Sequence, residues 1–118
     1  HISNKYSTPE HHHHPMESES ASCINCHMPG RLYMVNDYRR DHSFRVPRPD
    51  LTVHYGTPNA CNQCHEDKSV QWAADNIEKW YGPNRSPHYS EKLLRGLDGS
   101  EEDLISLFED RKEPAIVL

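Results

Sequence analysis

The sequence predicts a mainly α chain with extensive loop and little or no β structure, and three observations predict it. Apolar side chains recur at helical spacing in residues 66–118, while residues 28–60 carry Pro29, Pro47, Pro49 and Pro58 with little periodicity and read as loop. Hydrophobic residues make up only 34% of the 118, below the roughly 45–50% apolar content of ordinary globular chains. The polypeptide alone would therefore bury a thin core. Ten His and four Cys stand in this small chain. Something other than apolar side chains is expected to fill its middle.

Taken in order, residues 1–22 are a polar, irregular arm in which His11-His12-His13-His14 precedes Pro15 and an acidic Ser/Glu stretch. Four His are few for an affinity tag and the run is internal, though a tag or spacer origin stays open as the alternative. After the proline-rich zone, Val70, Ala73, Ala74, Ile77, Trp80 and Tyr81 recur at three and four, with Gly82-Pro83 as the stop. Ser90 is expected to start a short helix that Gly96 ends. Ser100 with Asp103 resembles a capping box ahead of Leu104, Leu107 and Phe108. Pro114 then opens the apolar run Ala115-Ile116-Val117-Leu118 without a stop, as if a helix begins there and the natural protein continues. The chain opens with His1 and without a leader, as a mature form or an excised fragment would. Two regions follow, a ligand-binding region at 1–83 with its arm at 1–22 and a helical extension at 84–118. No run of about 18 apolar residues is present, which excludes a membrane span. The net charge of −5 argues against nucleic acid as a partner.

The four cysteines fall in two identical patterns, Cys23-Ile24-Asn25-Cys26-His27 and Cys61-Asn62-Gln63-Cys64-His65. Both read C-x-x-C-H, the attachment sequence of covalently bound haem. Two thiols three positions apart on a tight turn reach the two vinyl groups on one edge of a porphyrin. The adjoining His then swings its imidazole under the ring to bind iron. Paired C-x-x-C motifs holding one zinc usually stand about 15–20 residues apart, whereas residues 27–60 separate Cys26 from Cys61 here. A thioredoxin-like pair would need flanking strand patterning, and simple disulfides give no reason for His at both fifth positions. Two haem c groups are therefore expected, on Cys23, Cys26, Cys61 and Cys64. Thioether attachment is made outside the cytoplasm, which implies a periplasmic or extracellular location.

Two six-coordinate irons need four axial ligands, of which His27 and His65 supply two. His1, His11 to His14, His42, His54 and His88 remain, beside the thioethers of Met16, Met28 and Met34. With imidazole this abundant, bis-His iron of low potential is expected over methionine ligation.

Further residues carry a resemblance. Cys-Ile-Asn-Cys-His-Met-Pro at 23–29, Arg39-Arg40-Asp41-His42-Ser43-Phe44-Arg45-Val46-Pro47, Thr57-Pro58-Asn59-Ala60-Cys61 and Trp80-Tyr81-Gly82-Pro83 together resemble the C-terminal haem region of bacterial multihaem cytochromes c. These belong to the superfamily of pentahaem nitrite reductase and hydroxylamine oxidoreductase, whose members often continue into helical repeats. The resemblance covers roughly residues 11–83 and implies a multihaem wrap around two covalent haems. In that superfamily a His shortly before C-x-x-C-H-M-P ligates the haem of the following motif. The His11–His14 cluster takes that role, with His14 opposite His65 and His12 as a weaker candidate. A His fifteen residues beyond the motif His ligates a haem attached earlier, which singles out His42. It would reach a missing part of this chain, a neighbouring chain, or a local haem. His27's partner usually comes from further on, where His88 is the first candidate and His54 the second.

Arg31, Arg39, Arg40, Arg45 and Arg48 crowd residues 31–50. Arg pairs with carboxylates in a planar, bidentate way, so Arg39, Arg40 and Arg45 are candidate partners for haem propionates; a solvated basic loop is the alternative. The acidic residues from Glu101 to Glu113 read as a solvated helix face. The expected function is electron transfer, with redox proteins or other haem-bearing chains as partners. A fragment of a larger multihaem oxidoreductase is the first rival. Such an enzyme needs an open iron position, and the nitrite reductases mostly replace the motif His by Lys at the active haem, whereas both motifs here keep His. A subunit of an extracellular haem-stacked polymer, with His42 crossing between chains, is the other.

Overall fold

Helix dominates the computed structural model, which describes residues 2–84 and 88–109. The chain divides into two units, His1–Asn76 and Ile77–Leu118. In the first, α1 (Ser3–Tyr6) is followed by α2 (Pro9–His12). Extended Thr8 precedes Pro9, whose missing N–H costs nothing in a first helical turn. His13 ends α2 in a left-handed conformation, φ 55°, with its N–H donated to the Pro9 carbonyl at 2.8 Å. A 3₁₀ turn at Glu19–Ala21 leads into α3 (Cys23–His27). Strand β1 (Gly30–Tyr33) then pairs antiparallel with β2 (Asp37–Arg40), Gly30 opposite Arg40 and Tyr33 opposite Asp37. Helix α4 (Pro49–Tyr55), a 3₁₀ turn at Cys61–Gln63 and α5 (Val70–Tyr81) complete the order. Helix α5 runs on into the second unit.

Residues 28–60 are therefore not all loop, and the arm at 1–22 is not wholly irregular. The hairpin escaped notice because both strands are polar and largely exposed, so no apolar alternation marks them. The proline Pro49, read as a breaker, sits in the first turn of α4, and Gly56 at φ 69° closes that helix.

In the second unit α6 (Tyr89–Leu97) and α7 (Glu101–Glu109) form a helical hairpin. The cap of α6 lies at His88 rather than Ser90: Nδ1 of His88 accepts the Ser90 N–H at 3.3 Å, and Glu91 accepts the His88 N–H at 3.2 Å. An imidazole lone pair here does what a serine hydroxyl does in the usual box. Gly96 does not end the helix. It is buried inside α6, where a Cβ would run into Cγ and Cδ2 of Leu104. The chain turns instead at Gly99, φ 109°. Ser100 does cap α7, accepting the Asp103 N–H at 3.4 Å. Arg95 grips Asp103 with two hydrogen bonds, 2.8 and 2.9 Å. The helix expected from Pro114 lies outside the described residues.

The hydrophobic core is thin. Among the described residues, Leu51 and Ala73 in the first unit and Ile77 and Leu107 in the second are the buried hydrophobic side chains, with Pro49 also enclosed. At the hairpin tip, by contrast, Met34 and Val35 are more than nine-tenths exposed. No helix among the described residues is long and apolar enough to cross a membrane.

Candidate functional site

Helix α3 is the first C-x-x-C-H motif itself, residue for residue. A five-residue helix has little stability of its own, and neighbouring groups hold it. Arg40, at the end of β2, donates to the carbonyls of Ile24 (3.2 Å) and Met28 (3.1 Å) and to Oδ1 of Asn25 (3.0 Å). Its cation thus sits at the helix C-terminus, where it opposes the negative end of the dipole. On the other side Asn25 donates to the Glu19 carbonyl at 2.8 Å.

The second motif is built on asparagine. Asn59 Nδ2 donates to Thr52 Oγ1 and to Asn62 Oδ1, both at 3.0 Å, while Asn59 Oδ1 accepts the Asn62 N–H at 3.0 Å. Asn62 Nδ2 in turn donates to the carbonyls of His65 (3.3 Å) and Lys68 (2.9 Å). These bonds fix both ends of the turn from Cys61 to His65. The His65 ring lies against Trp72 of α5, centroids 4.9 Å apart and planes at 54°.

Each motif histidine has a second imidazole beside it. His14 lies with its centroid 6.0 Å from that of His65, planes at 28°. His11 lies 6.1 Å from His27 with planes at 5°, nearly parallel. Phe44 flanks the same His27 ring at 4.8 Å and 8°. The left-handed His13 explains how one short run serves two places: it breaks α2 between His11 and His14. All four paired imidazoles are half-buried, whereas His13, His42 and His54 are exposed.

Tautomers follow from the acceptors. His27 Nδ1 is 2.8 Å from the Arg45 carbonyl, and a carbonyl only accepts, so Nδ1 carries the proton. His14 Nδ1 donates in the same way to the His12 carbonyl. In its neutral form either ring then has its lone pair on Nε2, where a metal can take it. Nδ1 of His12 accepts the His14 N–H at 3.2 Å, and its Nε2 is buried with no hydrogen-bond partner among the described residues. Burial pushes the His11 pKa down, with the neighbouring His27 adding to the shift.

All four thiols are free; Cys64 is exposed and the others half-buried. Burial raises the Cys26 and Cys61 thiols above the ordinary range. Repulsion from neighbouring thiolates adds to it, across the two motifs between Cys64 and Cys26 and between Cys26 and Cys61, and within each motif from Cys23 and Cys64, while a backbone hydrogen bond at Cys61 works the other way. The couplings of Cys26 to Cys64 and of Cys61 to Cys26 place the two C-x-x-C segments near one another.

The remaining sequence candidates lie as follows. Arg39 pairs with Asp37 (2.6 Å) and Arg45 with Asp41 (2.7 Å), while Arg40 serves the motif helix. His54, on α4, meets Tyr55 edge-on at 6.3 Å. His88 belongs to the second unit as the cap of α6. Sequence reasoning did not pair His11 with His27, nor single out Phe44 and Trp72 as the rings against the motif histidines. The i, i+3 spacing of His11 and His14 was visible, but their divergence depends on backbone geometry at His13.

A structural zinc needs four converging ligands. Among the described residues no three His, Cys, Asp or Glu side chains converge in that way. A haem iron asks less of a protein, one imidazole on each face. Two metal–imidazole bonds of about 2 Å, plus the half-width of each ring, put the centroids of two imidazoles that share one metal within about 6 Å of each other. The two ring pairs have that spacing. With vicinal thiol pairs beside them, the donor set fits covalently attached haem. No family model, curated protein or solved structure matches the chain.

Proposed function

We propose that this chain is an electron-transfer module of c type that holds two covalent haems, each iron between two imidazoles. The observation that carries the reading is that each C-x-x-C-H histidine has a second histidine ring about 6 Å away. Cys23 and Cys26 would hold one group and Cys61 and Cys64 the other. His27 and His65 would be the proximal ligands, with His14 distal to His65. Haem, when bound, supplies a reversible one-electron couple between ferric and ferrous iron.

The chain's own residues do the rest. The Arg45 carbonyl keeps the His27 proton on Nδ1, which orients the ring and raises its basicity toward iron. Phe44 and Trp72 cover the motif imidazoles and limit access of water to them. The thin core is consistent with apolar porphyrin faces completing it. Filled axial positions suit a carrier and not an enzyme, which needs a vacant one. The multihaem superfamily that the sequence resembles, a periplasmic or extracellular location, and redox proteins as partners belong to the same reading. Arg39 and Arg45, already paired with Asp37 and Asp41, would have to share their charge with any propionate. A second reading, a subunit of a haem-stacked polymer, is favoured by the exposure of His42 in the loop after β2, where it could ligate an iron of another chain.

The test is the optical spectrum of the full chain matured with a haem-attachment system. The expected result is two low-spin haems whose ferrous form takes up no carbon monoxide and whose ferric form ignores cyanide and nitrite. A high-spin band that nitrite or cyanide shifts would favour the oxidoreductase fragment. A colourless protein would contradict both.

A further inference from the structure

Resting on the two-haem reading, we infer that His11 is the second axial ligand of the His27 iron, so that residues 11–14 clamp both irons at once. Three observations meet at this residue. The His11 and His27 ring centroids stand 6.1 Å apart with planes 5° from parallel, within the reach of two imidazoles that share one metal. The proton on Nδ1 of His27 is committed to the Arg45 carbonyl, which leaves Nε2 as its donor atom. And the left-handed turn at His13 separates the courses of His11 and His14, the latter lying beside His65.

The other histidines are less well disposed. His54 is exposed and meets Tyr55. His88 spends Nδ1 on capping α6, with its ring 4.3 Å from Tyr89. His12, between the two, accepts the His14 N–H at Nδ1, unlike His27, so the proton of its neutral ring sits on Nε2. Tyr6 meets His11 edge-on at 5.1 Å and 74°, a contact that restrains the ring.

A consequence follows from chain length. Three residues span at most about 11 Å between their Cα atoms, so ligands at 11 and 14 would tie both haem sites to one short segment. Disturbing either ligand should disturb the spacing of both.

The test compares full-length holoprotein variants, each first checked for two covalent haems. In the ferrous state H11A should bind one carbon monoxide per two haems, and H54A and H88A none, as in the unmodified chain. H11A that carries two haems and binds no carbon monoxide overturns the assignment, as does one carbon monoxide taken up by H54A or H88A. Should H11A fail to mature, H11M decides. Methionine ligation raises potential, so one of the two midpoint potentials should rise while the other moves little; two unmoved potentials overturn the assignment. Absence of haem from the unmodified chain would instead defeat the underlying reading and is seen before any variant is made.

Discussion

His27 and Arg45 are joined by two hydrogen bonds of 2.8 Å: the His27 ring Nδ1–H donates to the Arg45 carbonyl, and the Arg45 N–H donates to the His27 carbonyl. Eighteen residues separate them, and both bonds on the arginine side use main chain. The side chain of Arg45 can therefore change without moving the imidazole. Arg45→Ala should lose only the exposed contacts to Asp41 and Ser43, within about 1 kcal/mol of stability. Denaturant unfolding checks the cost, and ¹⁵N NMR should find the His27 ring in the same tautomer. A tautomer change would show that the side chain, not the main chain, sets the ring.

Phe44 holds its ring against His27 from a left-handed backbone, φ 48°. That conformation is unfavourable for a bulky residue and costs of order 1 kcal/mol. Phe44→Gly removes the strain together with the cover. Global stability should change by less than about 1 kcal/mol, because half the side chain is already exposed. The His27 ring N–H should exchange with solvent several-fold faster, as read by NMR. Unaltered exchange would mean that the phenyl ring shields nothing.

Two neighbouring arginines should differ sharply. Arg40→Leu removes three hydrogen bonds from the C-terminal end of the first motif helix and should cost about 2 kcal/mol. If Cys23 and Cys26 hold haem as proposed, its yield there should drop with it. Arg39→Leu breaks an exposed pair with Asp37 and should cost under about 1 kcal/mol. Equal losses from the two variants, measured by chemical denaturation and by mapping haem peptides, would argue against the clamp.

Asp103 gives the second unit a pH dependence. Hydrogen bonding from Arg95 holds its carboxyl at about 2, down from an ordinary 3.8. A carboxyl lowered on folding stabilises the folded form above its ordinary value, and that contribution disappears as pH falls through the lowered one. The α6–α7 hairpin should therefore loosen between pH 3.8 and about 2. Amide NMR signals of the two helices report it, and Asp103→Asn should flatten the profile in that window. Coincident profiles would contradict the assignment.

Much of this was legible in the residues themselves. The motif helix at Cys23–His27, the amphipathic helix at Val70–Tyr81 and the Ser100 cap follow from local chemistry that a sequence displays. The hairpin did not, because polar strands such as Asp37–Arg40 carry no apolar period. Gly96 misled for another reason: glycine marks both helix ends and close helix contacts, and only the position of Leu104 distinguishes them. Likewise the histidine run was visible as a source of ligands. His14 is the imidazole that the resemblance set opposite His65, whereas His11 beside His27 depends on a single left-handed residue, His13, that propensity does not foretell.

The central claim, that all four cysteines carry haem, is tested most directly by the intact mass of the purified chain under denaturing conditions, paired with a pyridine haemochrome spectrum. The account predicts a mass that exceeds the polypeptide by two haems and a c-type haemochrome of two haems per chain. A mass equal to the amino acids alone, with no haemochrome band, would contradict it.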